Sequence, residues 1–389
     1  MNMNSRKKRF AAILLAGITF ICTSGITHVQ VKADPVQEEN VEEKIQQMSL
    51  AEKIAQLFFI TPETLAGNAV SAGDTTRGAY EAYPVGGIIL MSANIESYDQ
   101  VKNLIAGYQQ MSQETGGVPI FVGVDEEGGI VSRIAKSGIM ETPVYDSMQA
   151  IGQTGDSLKA YETGCQIGSY LSELGFNVDF APVADVLTNP QNTVIGSRSF
   201  GSDPSIDGAM VASEVKGLHT KGMLSTLKHF PGHGDTYEDS HEGKSYVYKT
   251  REELENCEWI PFKKGIEAGS DFVMMGHISC PGITGDDTPA SLSYTICTEI
   301  LRDQLGFQGL VITDAMNMGA VANEYASGDA AVRAVQAGAD MILMPADFSA
   351  AYAGVRNAVQ NGTITEERIN ESVRRILAVK NKINTAESD

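Results

Sequence analysis

Leu310-Val-Ile-Thr-Asp314 is a β-branched apolar run closed by a carboxylate, and Asp329-Ala-Ala-Val-Arg-Ala-Val-Gln-Ala337 beyond it has the apolar spacing of a helix. The same unit recurs along the chain. Candidate strands are Gln56 to Thr61, Gly86 to Met91, Ile120 to Asp125, Asn177 to Pro182, Met223 to His229, Phe272 to His277, Leu310 to Asp314 and Met341 to Met344. Longer segments of helical period lie between them, such as Ser97 to Gln113, Leu158 to Leu174, Arg251 to Ala268 and Asp329 to Ala337. The last, Thr365 to Lys380, carries a capping Thr365, Glu366 and Glu367 against the N-terminal dipole, and Ile369, Val373, Ile376 and Leu377 on one face. Eight such repeats predict an α/β fold, a single (β/α)8 barrel with loop insertions and no second domain, over residues 43–382. An open doubly wound sheet is the rival, and the absence of G-x-G-x-x-G after the first strand counts against its dinucleotide-binding form.

Composition sets outer bounds. The 389 residues are 42% apolar, with 29 Lys+Arg against 49 Asp+Glu, enough to bury a large core and too ordinary for a collagenous, disordered or disulfide-dense chain. The first 33 residues read as a secretory signal: Arg6, Lys7, Lys8 and Arg9 precede an apolar run from Ala11 to about Ile26, and Val31-Lys32-Ala33 offers a small-x-small cleavage site. A secreted or envelope-associated protein is therefore expected. Cys22 is a poor lipidation site, because Thr19-Phe20-Ile21 lacks the small residue such a cysteine needs. Residues 34–42 and 383–389 read as polar tails. Removing a leader whose charges are all basic makes an already acidic chain more so, which argues against nucleic acid as a partner. No later stretch holds 18 consecutive apolar residues, so no transmembrane span is expected in the mature chain. Cys165, Cys257, Cys280 and Cys297 are widely spaced with no C-x-x-C pair, and buried free thiols are the simplest expectation.

Polar residues gather where the apolar runs end: Asp125, Asp185, Lys228-His229, His277 and Asp314. In a barrel all these ends open on one face, the face on which barrel enzymes build their sites. The densest stretch is Lys228 to Gly243, Lys-His-Phe-Pro-Gly-His-Gly-Asp-Thr-Tyr-Glu-Asp-Ser-His-Glu-Gly. Pro231, Gly232 and Gly234 exclude a helix, so His229 and His233 cannot form an i, i+4 metal pair, although a zinc site built from His229, His233 and His241 stays open. Gly243-Lys244-Ser245 is not a phosphate loop, since Glu238 stands where its first glycine belongs. In Asp239-Ser240-His241 the carboxylate can hold one imidazole nitrogen and leave the other for acid/base work, although an ordinary hydrophilic loop has the same composition. Asp314, without a neighbouring Ser or Cys to activate, suits a nucleophile or an electrostatic stabiliser; an ion pair with a structural arginine is the alternative.

Taken together, Lys228-His-Phe-Pro-Gly-His-Gly with Asp239-Ser-His241, Val124-Asp-Glu-Glu-Gly-Gly-Ile-Val-Ser-Arg133, Asn177-Val-Asp-Phe-Ala-Pro-Val-Ala-Asp185, Ile195-Gly-Ser-Arg-Ser-Phe-Gly201 and Ile312-Thr-Asp314 resemble the blocks of glycoside hydrolase family 3. The resemblance runs from about residue 43 to 380 and is nearest to the single-domain β-N-acetylglucosaminidases that act on peptidoglycan fragments. It implies Asp314 as nucleophile and His241, paired with Asp239, as general acid and then base. It implies Asp125, Arg133, Arg198, Lys228 and His229 as sugar ligands, with His277 lining the same pocket and Asp185 a weaker candidate. It implies no cofactor or metal, a monomer, and GlcNAc-containing muropeptides or wall fragments as substrate. A histidine in place of the second carboxylate departs from the common two-carboxylate scheme. Within the family, a β-N-acetylglucosamine phosphorylase or a β-glucosidase remains an alternative; outside catalysis, a non-catalytic binder of wall sugars does.

Overall fold

The computed structural model describes residues 35–385. The leader, its cleavage site and Cys22 lie outside them. The eight apolar runs form eight parallel strands: β1 (Phe58–Ile60), β2 (Gly87–Ile89), β3 (Phe121–Val124), β4 (Val178–Asp179), β5 (Leu224–Phe230), β6 (Phe272–Met275), β7 (Leu310–Thr313) and β8 (Ile342–Leu343). Neighbours in the sheet follow chain order from β1 to β7, with β8 on the other side of β1. A bridge between Ile312 and Met341 sets β7 against β8, so the sheet nearly closes into a barrel. Around it lie α1 (Pro35–Gln47), α2 (Asp74–Ala82), α3 (Tyr98–Gly116), α4 (Ser157–Leu174), α5 (Pro204–His219), α6 (Trp259–Glu267), α7 (Ser327–Ala337), α8 (Phe348–Gln360) and α9 (Glu366–Thr385). Between β6 and β7 the chain winds as a π-helix, Thr295–Gln304.

The barrel interior is filled by rings from successive strands. Phe59 packs edge-on against Phe180 at 5.3 Å, and Phe121 edge-on against Phe272 at 5.3 Å. This explains two glycines: a Cβ on Gly87 would sit 2.5 Å from the Phe59 ring, and one on Gly123 would sit 2.9 Å from both Phe59 and Phe180. The floor is closed by α9. Its Arg375 and Ser372 reach Asp340, which also pairs with Arg302, and its Lys382 reaches Asp271, which also holds His219. Lys380 lies over the Phe121 ring with its ammonium 2.8 Å from Gln56 Oε1, and burial pulls its pKa down to about 7.

Three elements differ from the sequence reading. Arg251 to Ala268 is two helices, Arg251–Glu255 and α6, because Pro261 lacks the N–H and crowds the carbonyl that a continuous helix would need, and sits comfortably only in a first turn. Residues read as an N-terminal tail belong to α1, whose Val41 is buried and whose Glu42 pairs with Arg374 of α9. The final helix runs on to Thr385, with Thr365 accepting from the Arg368 N–H as its cap. The four cysteines are free, Cys280 and Cys297 fully buried. Among the described residues no helix is long and apolar enough to cross a membrane.

Candidate active site

The strand ends open on a cavity of about 320 Å³ lined by Asp125, Glu127, Arg133, Arg198, Lys228, His229, His233, His241 and Asp314. Ser240 and Asn317 stand at its edge, and its other walls are apolar, including Ile89, Met91, Val131, Leu343 and Met344. Met344, just beyond β8, is the one non-glycine with positive φ among the described residues (44°), a conformation that costs energy and often marks a functional wall.

One side of the cavity is a ladder of ion pairs. Lys228, fully buried at the end of β5, places its ammonium 2.8 Å from Asp125 and 2.7 Å from Glu127. Arg198 grips Glu127 with two parallel bonds of 2.8 Å, a bidentate geometry that fixes the guanidinium plane. Burial alone would raise the Glu127 carboxyl, but Arg198 and Lys228 outweigh it and hold the group far below the usual carboxylate range. Arg133 stands 3.8 Å from Asp125 with its Nε buried and unbonded. The register of β5 against β6 slips between Leu227 and Phe230, a bulge that lets both Lys228 and His229 face the cavity.

His229 is held from behind. Asp185, buried after β4, accepts from its ring Nδ1 at 2.7 Å and from the backbone N–H groups of His229 and His233. Asp314 follows β7; its Oδ1 accepts from the Ala315 N–H at 2.7 Å. Burial pushes its pKa up, yet His229, His277, the Ala315 N–H and Lys228 together hold it below the ordinary value, so the carboxylate is ionised at neutral pH. On the same cavity, His241 Nδ1 lies 2.7 Å from Asp239 Oδ1, which also accepts the His241 N–H at 2.8 Å. That pairing fixes one nitrogen and leaves Nε2 without a protein partner among the described residues.

Of the residues singled out in the sequence, Asp314, His241, Asp125, Arg133, Arg198, Lys228 and His229 come together in the one cavity, with Asp239 behind His241. His277 does not line it. It is buried one layer back, donating from Nε2 to the Ala315 carbonyl at 3.0 Å and accepting at Nδ1 from the Ser291 hydroxyl, and so steadies the backbone beside Asp314. The three histidines considered for zinc do not form a cluster: both ring nitrogens of His233 are taken by the Thr236 and Ser240 hydroxyls, and His241 gives its Nδ1 to Asp239. Among the described residues no group of three metal-ligating side chains converges. Sequence reasoning missed Glu127. The signal was present: Asp125 and Glu127, two apart in an extended segment, share a side, while Glu126 between them points back to cap the chain at Arg133–Ala135.

Behind the ladder, Glu214 of α5 is buried, and desolvation, then the Glu127 charge, raise its pKa to about 8. A carboxyl whose folded pKa lies above its unfolded value of about 4.3 adds stability that is complete below that value and is lost as pH rises toward the folded one. The melting temperature of the native protein is therefore expected to decline between pH 5 and 8 relative to Glu214→Gln. Parallel melting curves across that window would contradict the assignment.

The sequence profile of the glycosyl hydrolase family 3 N terminal domain matches residues 40–379. The chain is 34% identical over 326 residues to beta-hexosaminidase A of Pseudoalteromonas piscicida, covering 77% of this chain and 54% of that protein. It is 32% identical over 343 residues to beta-hexosaminidase LpqI of Mycobacterium tuberculosis, covering 86% and 83%. Among solved structures, a glycoside hydrolase family 3 beta-N-acetylglucosaminidase from Paenibacillus sp. str. FPU-7 superposes with a TM-score of 0.81 at 38% identity, over 88% of this chain and 64% of that one. The chain thus spans about half the length of the Pseudoalteromonas protein and most of the mycobacterial one.

Proposed function

This chain belongs to glycosyl hydrolase family 3, and from that premise we propose that it is a retaining exo-β-N-acetylglucosaminidase, exported by its leader, that removes non-reducing GlcNAc from peptidoglycan fragments. The observation that carries the reading is that an ionised carboxylate, Asp314, and a carboxylate-held imidazole, His241, open on one cavity that is also lined by a fixed ladder of charges.

Each part has a task. Asp314 attacks the anomeric carbon and forms a glycosyl ester, while His241 gives its proton to the leaving oxygen. His241 then takes a proton from water as that water opens the ester, returning Asp314 with retained configuration. Asp239 holds the Nδ1 side of the ring and so fixes the tautomer, leaving Nε2 as the atom that gives and takes the proton. The rigid side chains of Asp125, Lys228, Arg198 and His229 can each bond a ring hydroxyl, and a sugar lacking that hydroxyl would leave a buried polar group unpaired. The apolar wall of Met91, Val131 and Met344 suits the carbon face of a pyranose and an acetamido methyl. The names of the relatives quoted above support a hexosaminide over a glucoside.

His241→Ala separates the reading from its rivals. The variant is expected to lose on the order of 10²-fold or more in kcat/KM on a methyl or sugar leaving group and little on 2,4-dinitrophenyl GlcNAc, whose leaving group needs no proton. Equal losses would remove His241 from proton transfer. Comparing 4-nitrophenyl GlcNAc, glucoside and xyloside with and without phosphate tests the sugar and the acceptor: GlcNAc as the product is expected, GlcNAc-1-phosphate would mean phosphorolysis, and binding without turnover of any of them would mean a sugar-binding protein.

A further inference from the structure

The loop that carries His241 is docked backbone to backbone onto the segment that follows Asp314. The Gly319 N–H donates to the His241 carbonyl at 3.0 Å and the Ala320 N–H to the Ser240 carbonyl at 3.2 Å. These are the first amides of the short helix Gly319–Ala322, donors that such a helix cannot satisfy internally. Asn323 adds a bond to the Glu242 carbonyl at 3.4 Å, and Lys244 an ion pair to Glu324 at 3.4 Å. The fit is close. A Cβ on Gly319 would lie 2.6 Å from the Glu242 carbonyl oxygen and 2.8 Å from that of His241, so a side chain there must push the loop away. Gly319 does not have a positive φ, so its glycine is not required by its own backbone conformation.

On its inner side the same loop is held by His233. The Thr236 hydroxyl donates to the His233 carbonyl, so its oxygen accepts from His233 Nδ1–H at 2.7 Å. The neutral ring then presents a bare Nε2, which accepts from the Ser240 hydroxyl at 3.0 Å, one residue before His241. Burial, then the neighbouring His229, pull the His233 pKa down to about 4, which keeps that acceptor available across the neutral range.

We propose that this seam, Gly319 on one side and the Ser240–His233 bond on the other, positions His241 against Asp314, so that the acid/base loop and the nucleophile's own loop seat as one unit. Gly319 and Ser240 are positioning residues: Gly319 does not line the cavity, the hydroxyl of Ser240 at its edge is taken by His233, and both act through the placement of the imidazole. The inference rests on the assignment of His241 as acid/base.

Gly319→Ala and Ser240→Ala test it, with Ser240→Thr, which keeps the hydroxyl, as the conservative control and His241→Ala as the reference. On methyl β-N-acetylglucosaminide, kcat/KM of both positioning variants is expected to fall about tenfold to a hundredfold, and Ser240→Thr to restore most of it. On the 2,4-dinitrophenyl substrate all three are expected to stay within about twofold of the native enzyme, since kcat/KM there reports a step that needs no acid. Equal falls on both substrates, or none on the methyl glycoside, would overturn the seam. If Gly319→Ala does not fold, the Ser240 pair decides. If His241→Ala itself shows no dependence on leaving group, the acid/base reading fails; if it does while the seam variants do not, the seam alone fails.

Discussion

Asp314→Asn is expected to cut turnover of 4-nitrophenyl GlcNAc by on the order of 10⁴-fold or more, about 5 kcal/mol of transition-state stabilisation. Asn has the same shape and its amide oxygen can still accept from the Ala315 N–H, so the fold and the cavity should survive. What is lost is the ionised oxygen that forms the ester, in a place where His229, His277 and Lys228 hold that charge ready. Asp314→Ala opens a second test, because azide can occupy the vacated space: turnover should return with azide, giving the α-glycosyl azide by a single inversion. Rescue with a β-azide, or a loss of less than tenfold in Asp314→Asn, would place the nucleophile elsewhere.

The largest stability effect is expected at Glu127. Its carboxylate is 1% exposed and holds both Arg198 and Lys228, themselves 10% and 2% exposed. Glu127→Ala takes from buried Arg198 its bidentate carboxylate and leaves Lys228 paired with Asp125 alone, and removing one partner from a buried ion pair costs about 3–5 kcal/mol. Glu127→Gln keeps the acceptor oxygen and the shape, and should cost less. Urea unfolding at pH 7 checks this, with KM as a second reading: Arg198 and Lys228, released from their fixed directions, should bind the sugar more weakly. A Glu127→Ala variant within about 1 kcal/mol of the native protein would show that the ladder is not buried as described.

Each of the eight strands was legible as a short apolar run between segments of helical period, and the polar residues that close several of these runs are what placed Asp125, Lys228, His229 and Asp314 on one face. Helix boundaries were less so. Amphipathic period continues through Arg251 to Ala268, and only the backbone demands of Pro261 divide it. The tail containing Val41 reads as polar because most of its residues are; its place against α9 depends on a partner more than 300 residues away. Glu127 and His277 mark two limits within the site. Glu127 sits beside Asp125 and Glu126, and which of three adjacent acids faces the cavity depends on the pleat of a segment too short to announce itself. His277 ends its strand as the others do, but the Ala315 carbonyl and Ser291 claim both its nitrogens, a pairing set by loops distant in sequence. The docking at Gly319 was invisible for the same reason, since a glycine kept for space leaves no pattern.

The covalent role of Asp314 is tested most directly by trapping. Incubation with 2-acetamido-2-deoxy-5-fluoro-β-glucosaminyl fluoride, followed by proteolysis and mass spectrometry, should find one sugar on the peptide containing Asp314 and none on Asp314→Asn. A label on Asp125, Glu127 or any other carboxylate, or inactivation of the enzyme without any covalent adduct, would contradict it.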